Sequence, residues 1–207
     1  MDTDMKSFLS DILNELHEID FVKPEDIPNI DLYMDQVTTF IDSQLASSKR
    51  REDDKILTKT MINNYAKNNL LPPPQKKKYT KEHVLMLIFI YYFKSILSIS
   101  DIQSVLNPIT EKYFGKKDDI SLEDIYREVF SLENQETQLV LKDLAKKYGN
   151  AQKTFPDAPE EEAELLRTFS FICMLCYDIY IKKTLVERII DQVNAEHAST
   201  EKKTDKK

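Results

Sequence analysis

The chain has 207 residues, 36 acidic and 29 basic side chains, a formal charge of -7 and only two glycines, Gly115 and Gly149. That length can bury a core in one or two small domains, and 41% hydrophobic with 31% charged residues marks a globular chain, not a disordered one. One glycine per neighbourhood excludes the P-loop and the dinucleotide fingerprint, and the wealth of helix formers predicts an all-α fold.

The N-terminal segment MDTDMKSFLSDIL is acidic and lacks a charged-then-apolar signal pattern, so a cytoplasmic protein with reduced thiols is expected. Within 7–19, Phe8, Leu9, Ile12, Leu13, Leu16 and Ile19 recur at helical spacing and predict a first helix. Pro24 and Pro28 make 20–30 a connector. Helical spacing returns over 31–46 through Leu32, Met34, Val37, Phe40, Ile41 and Leu45. The polar run SSKRREDDK at 47–55 then reads as a mobile, solvated loop.

Charge singles out the stretch after this loop. From Lys55 to Lys81 there are seven lysines and no Asp or Glu, so these residues carry +7 and leave -14 for the rest of the chain. A compact basic island on an acidic protein suits a polyanion-binding face, because phosphate neutralisation and counterion release are local. Thr58 is a suitable N-cap for a helix over 59–69, in which Met61, Ile62 and Tyr65 can face inward while Lys59, Asn63, Asn64 and Lys67 face another side. Asn can pair with adenine and Lys can reach guanine acceptors or phosphate, so that side is a candidate major-groove surface. Leu70 and Leu71 anchor Pro72, Pro73 and Pro74, after which Lys76, Lys77 and Lys78 project from a turn closed by Tyr79. Three consecutive lysines on a preset turn would position phosphates without reading sequence.

The stretch 83–97 is apolar nearly all round and predicts the central core helix, with His83 at its start in a capping or structural role. Ser98 or Ser100 caps the next helix, which Pro108 is expected to end. Ser121 with Asp124 is a capping signature. Helical spacing then runs to Gly149 as a natural C′ residue, with the polar patch at 133–138 able to split the span in two. A linker at 150–159 leads to one long helix over about 159–195 and a charged tail that frays into solvent. The apolar run 165–181 contains Arg167 and Asp178, which predicts a buried helix, in the core of a monomer or the seam of a dimer, and not a membrane span. Asp178 would need a partner such as a lysine or a tyrosine hydroxyl. Cys173 and Cys176 form C-x-x-C without a nearby His and are expected to be core thiols. No nucleophile-base constellation, metal site or cofactor motif is present, so catalysis is not expected.

The segments INNYAKNNLLPPP, KKKYTKEHVLMLIFIYYFK and LSISDIQSVL resemble the winged helix-turn-helix of MerR-type transcription regulators. Tyr65, Leu70, Leu71, Pro72, Tyr79, Val84, Leu87 and Ile90 fall at matching places, while Asn69 stands where that pattern has glycine. Over nearly its full length the chain also resembles an uncharacterised Gram-positive bacterial family, a domain of unknown function, through LYMDQVTTFI and LTKTMINNYAKNNLLPPPQKKKYTKEH. The resemblance implies an all-α protein with an N-terminal helix at 1–24, a MerR-like winged helix-turn-helix at 25–107, a helical dimerisation or effector region at 108–197 and a flexible tail at 198–207. It implies a transcription regulator that binds double-stranded DNA as a homodimer through Thr58, Lys59, Asn63, Asn64, Lys67, Lys76, Lys77, Lys78 and Tyr79, under an effector of unknown identity. A non-catalytic helical adaptor that docks an acidic protein partner on the same lysines is the competing expectation.

Overall fold

The structure, a computed structural model, describes residues 21–116 and 119–204. The helix expected at 7–19 lies outside them. The described residues form an all-α fold with one two-stranded ribbon, in two compact units: 21–130 with 186–204, and 131–185.

In the first unit, β1 (Leu32–Tyr33) leads into α1 (Met34–Gln44), followed by α2 (Lys59–Lys67), β2 (Lys78–Tyr79), α3 (Lys81–Phe93), α4 (Ile99–Tyr113) and α5 (Leu122–Ser131). The centre is α3, because a helix apolar on every side is stable only when every side is covered. Val84, Leu85, Met86, Leu87, Ile88 and Ile90 are fully buried. Val37 and Ile41 of α1, Ile62 and Tyr65 of α2, Ile102 and Leu106 of α4, and Leu122 and Tyr126 of α5 belong to the same core. The connector at its start is tied in by the buried Tyr126 hydroxyl, which donates to the Val22 carbonyl at 2.8 Å.

Pro108 does not end its helix. It lies inside α4, which runs on to Tyr113. A helix-interior proline costs about 3 kcal/mol. Here the apolar face continues beyond it, with Ile109 and Phe114 packed on the core that holds Ile102 and Leu106, and that burial outweighs the lost bond. Ser98, not Ser100, caps α4, its Oγ accepting from Asp101 N–H at 3.2 Å. Ser121 and Asp124 make the reciprocal cap expected of them at the start of α5.

In the second unit, α6 (Glu133–Ala151) begins where the polar patch divides the span, and α7 (Glu160–Thr204) starts here and continues into the first unit. Gly149 lies within α6 and is not its C′ residue. The long helix continues to Thr204, past the end expected near 195. The two helices meet through the Tyr148 and Phe171 rings, 5.5 Å apart, and through Lys147, which pairs with Asp178 at 2.9 Å. Lys182 joins this pair at 3.1 Å, and both lysines, Lys147 foremost, hold the Asp178 carboxyl below its ordinary range.

The chain's own core does not cover 165–181, and the expectation of core thiols at Cys173 and Cys176 is corrected. Leu165, Phe169, Ile172 and Ile179 each keep more than half their surface exposed, and Cys173 and Cys176 are exposed thiols. The helix is apolar on more than one side, and the side bearing Ala163 and Phe171 is the one that packs. Among the described residues, no helix is long and apolar enough to cross a membrane.

Candidate nucleic-acid interface

Helix α2 owes its start to the half-buried Thr58, whose hydroxyl accepts from Met61 N–H at 3.2 Å and so serves the helix end. Burial of Ile62 and Tyr65 fixes the helix rotation, and Lys59, Asn63, Asn64 and Lys67 consequently face outward. Met61, expected inward, is 37% exposed and joins that outer side.

The far end of α2 is closed by a Schellman motif. Leu70 N–H donates to Tyr65 O at 2.9 Å and Asn69 N–H to Ala66 O at 3.3 Å, with Asn69 at φ +53°. Asparagine tolerates the left-handed region, which explains how it stands in the place of a glycine. The chain then turns sharply and buries Leu70 and Leu71.

The basic turn is a two-residue hairpin. Lys78 N–H donates to Gln75 O at 2.9 Å, and Lys76 and Lys77 sit at φ +49° and +64°. Positive φ at both central residues is the signature of a type I′ turn, normally filled by Asn-Gly. Strand β2 then pairs antiparallel with β1, Leu32 opposite Tyr79 and Tyr33 opposite Lys78. Tyr79 is only 3% exposed, so it belongs to the core beneath the turn and does not line the outer face. Lys76 and Lys77 are exposed and Lys78 is half-buried.

Two further residues reach this face from β1 and α1. The Lys78 ammonium lies 5.3 Å from the centroid of the Tyr33 ring, and Asp35 pairs with Lys59. Sequence periodicity gave no sign of either, because Tyr33 is brought here by the pairing of β1 with β2 and Asp35 by the packing of α1 on α2. Lys81 is met by Glu123 at 2.8 Å, so among the described residues carboxylates from outside the basic stretch meet two of its seven lysines.

The long loop before α2 is held at both ends. Lys49 pairs with Asp42 at 2.7 Å, and Lys94 donates to Ile56 O at 2.6 Å. Burial pushes the Lys94 amine down.

His83 fastens the hairpin to the core. It is 2% exposed, lies edge-on to the rings of Tyr79 and Phe114, and its Nδ1 accepts from Thr80 N–H at 3.0 Å. That bond places the neutral ring's proton on Nε2. Burial, the largest cause, lowers the His83 pKa, against the raising influence of the Pro73 and Pro72 carbonyls and of Asp31. The unfolded chain therefore takes up this proton first. Stability due to His83 is complete above the unfolded value of about 6.5 and is lost as pH falls below it. Urea midpoints at pH 7.5 and 5.0 check this: the acid loss should shrink in His83→Gln, which can keep the cap and cannot titrate.

These features define an all-α domain that presents a basic helix and a basic hairpin from one core. Residues 22–129 match the family described as Domain of unknown function (DUF1836), and the chain belongs to that family. The matched stretch nearly coincides with the continuous part of the first compact unit, Phe21–Phe130, and contains the whole basic face. No curated protein and no solved structure matches the chain.

Proposed function

We propose that the chain is a DNA-binding transcription regulator of the MerR-like winged helix-turn-helix type, acting as a homodimer on double-stranded DNA. The observation that carries this reading is the joint exposure of Lys59, Asn63, Asn64 and Lys67 on α2 and of Lys76 and Lys77 at the hairpin tip. The order α1, loop, α2, hairpin, α3 supports the assignment of α2 as the recognition helix and the hairpin as the wing. On this reading the amides of Asn63 and Asn64 read base edges, and the wing lysines grip phosphates.

Dimerisation rests on α7. Leu165, Phe169, Ile172, Cys176 and Ile179 recur at alternating four- and three-residue steps, the spacing of a coiled-coil seam, and all are exposed. Half-site recognition uses the two-fold symmetry that such a seam supplies. Sedimentation of the wild type should give a dimer, and Ile172→Glu should give a monomer with its helix content unchanged. A wild-type monomer at micromolar concentration would remove the dimer from the reading.

The test of DNA binding is fluorescence polarisation of random duplex fragments at two salt concentrations. Binding that weakens steeply with salt supports the reading. Absence of binding at low salt, with capture of an acidic protein partner that depends on the same lysines, would replace it with the adaptor reading.

A further inference from the structure

We infer that Asp35 is a positioning residue that restrains Lys59 and thereby limits sequence-independent DNA binding. The inference rests on the DNA-binding reading above. Lys59 opens α2, and Asp35 in the first turn of α1 pairs with it, both side chains being largely exposed. No carboxylate occurs between Lys55 and Lys81 in sequence, so the fold itself brings this negative charge to the basic face.

A carboxylate there does two opposite things. It compensates a lysine placed at the positive end of a helix, where a cation is disfavoured. It also repels an approaching phosphate and keeps Lys59 from neutralising it, which subtracts from the electrostatic term common to every DNA sequence. An exposed ion pair holds little free energy, so a site that offers Lys59 a guanine edge can release it at small cost. A non-specific register, in which Lys59 meets only phosphate, gains less, because Asp35 repels that phosphate. Discrimination is then a difference created by a repulsive element as much as by an attractive one.

The experiment compares wild type, Asp35→Asn and the double variant Asp35→Asn/Lys59→Gln on random duplex DNA across a salt series. Asp35→Asn should bind about three- to tenfold tighter at low salt, with a log-log salt slope steeper by roughly 0.9, one added phosphate contact. The double variant should lose both gains, because the effect passes through Lys59. A role confined to helix stability would change the urea midpoint and leave the slope where it was. If wild type binds and Asp35→Asn matches it in affinity and slope, the inference is overturned while the DNA reading stands. If no variant binds at low salt, the DNA reading fails first and takes the inference with it.

Discussion

Replacing Lys76, Lys77 and Lys78 together by glutamate should abolish DNA binding at physiological salt and leave the fold intact. At 0.15 M salt, counterion release is worth about fivefold in affinity per phosphate contact, since the slope is roughly 0.9 per contact. Three lost contacts therefore remove about two orders of magnitude, and three glutamates facing phosphate remove more. The log-log slope should flatten by about 2.7 for the same reason. Folding should survive because Lys76 and Lys77 are exposed at the hairpin tip and the ribbon is anchored beneath by buried Tyr79 and Leu32. Lys78 is the costliest of the three, since its ammonium lies over Tyr33. The measurement is the polarisation titration beside a circular dichroism melt. A folded variant that still binds random DNA with the wild-type slope would show that the hairpin is not the wing of this protein.

The helices that set up this face were legible because each carries a local instruction. Thr58 caps α2, Ile62 and Tyr65 give it one inward side, and the unbroken apolar run from Val84 to Ile90 can be satisfied only at a centre. The hairpin was legible through its lysines and prolines, although not its turn type, which sequence would assign to Asn-Gly and not to two lysines.

What local rules missed was decided by distant partners. Pro108 and Gly149 read as helix ends, yet both lie inside helices, Pro108 because the core claims residues on both sides of it. Tyr79 reads as part of the binding face, but pairing with Leu32 turns its ring into the core. Asp35 and Tyr33 carry no periodic signal at all, and only the β1–β2 ribbon and the packing of α1 on α2 bring them to the basic face. For α7 the difference runs the other way. Its apolar run predicts burial, in a monomer's core or in the seam of a dimer, because apolarity states only that a surface seeks cover and not which surface supplies it.

The substitutions Lys76→Asn and Lys77→Gly, made together, should stabilise the protein while weakening its hold on DNA. Both lysines occupy the left-handed region, where a non-glycine residue with a full side chain costs on the order of 1–2 kcal/mol. Asn-Gly is the pair this turn geometry prefers, so the exchange should raise unfolding free energy by about 1–2 kcal/mol. For a domain of this size that is several degrees in Tm. Removing two charges should at the same time reduce affinity for duplex DNA by roughly 25-fold at 0.15 M salt, on the same fivefold per contact. Backbone strain persists where surrounding structure and function over-determine it. On the proposed reading, lysine occupies both strained positions for its charge, since neutral residues fit the turn better. A variant that gains stability and binds DNA undiminished would break that connection, and a variant that loses stability would show that the surrounding sheet had already relieved the strain.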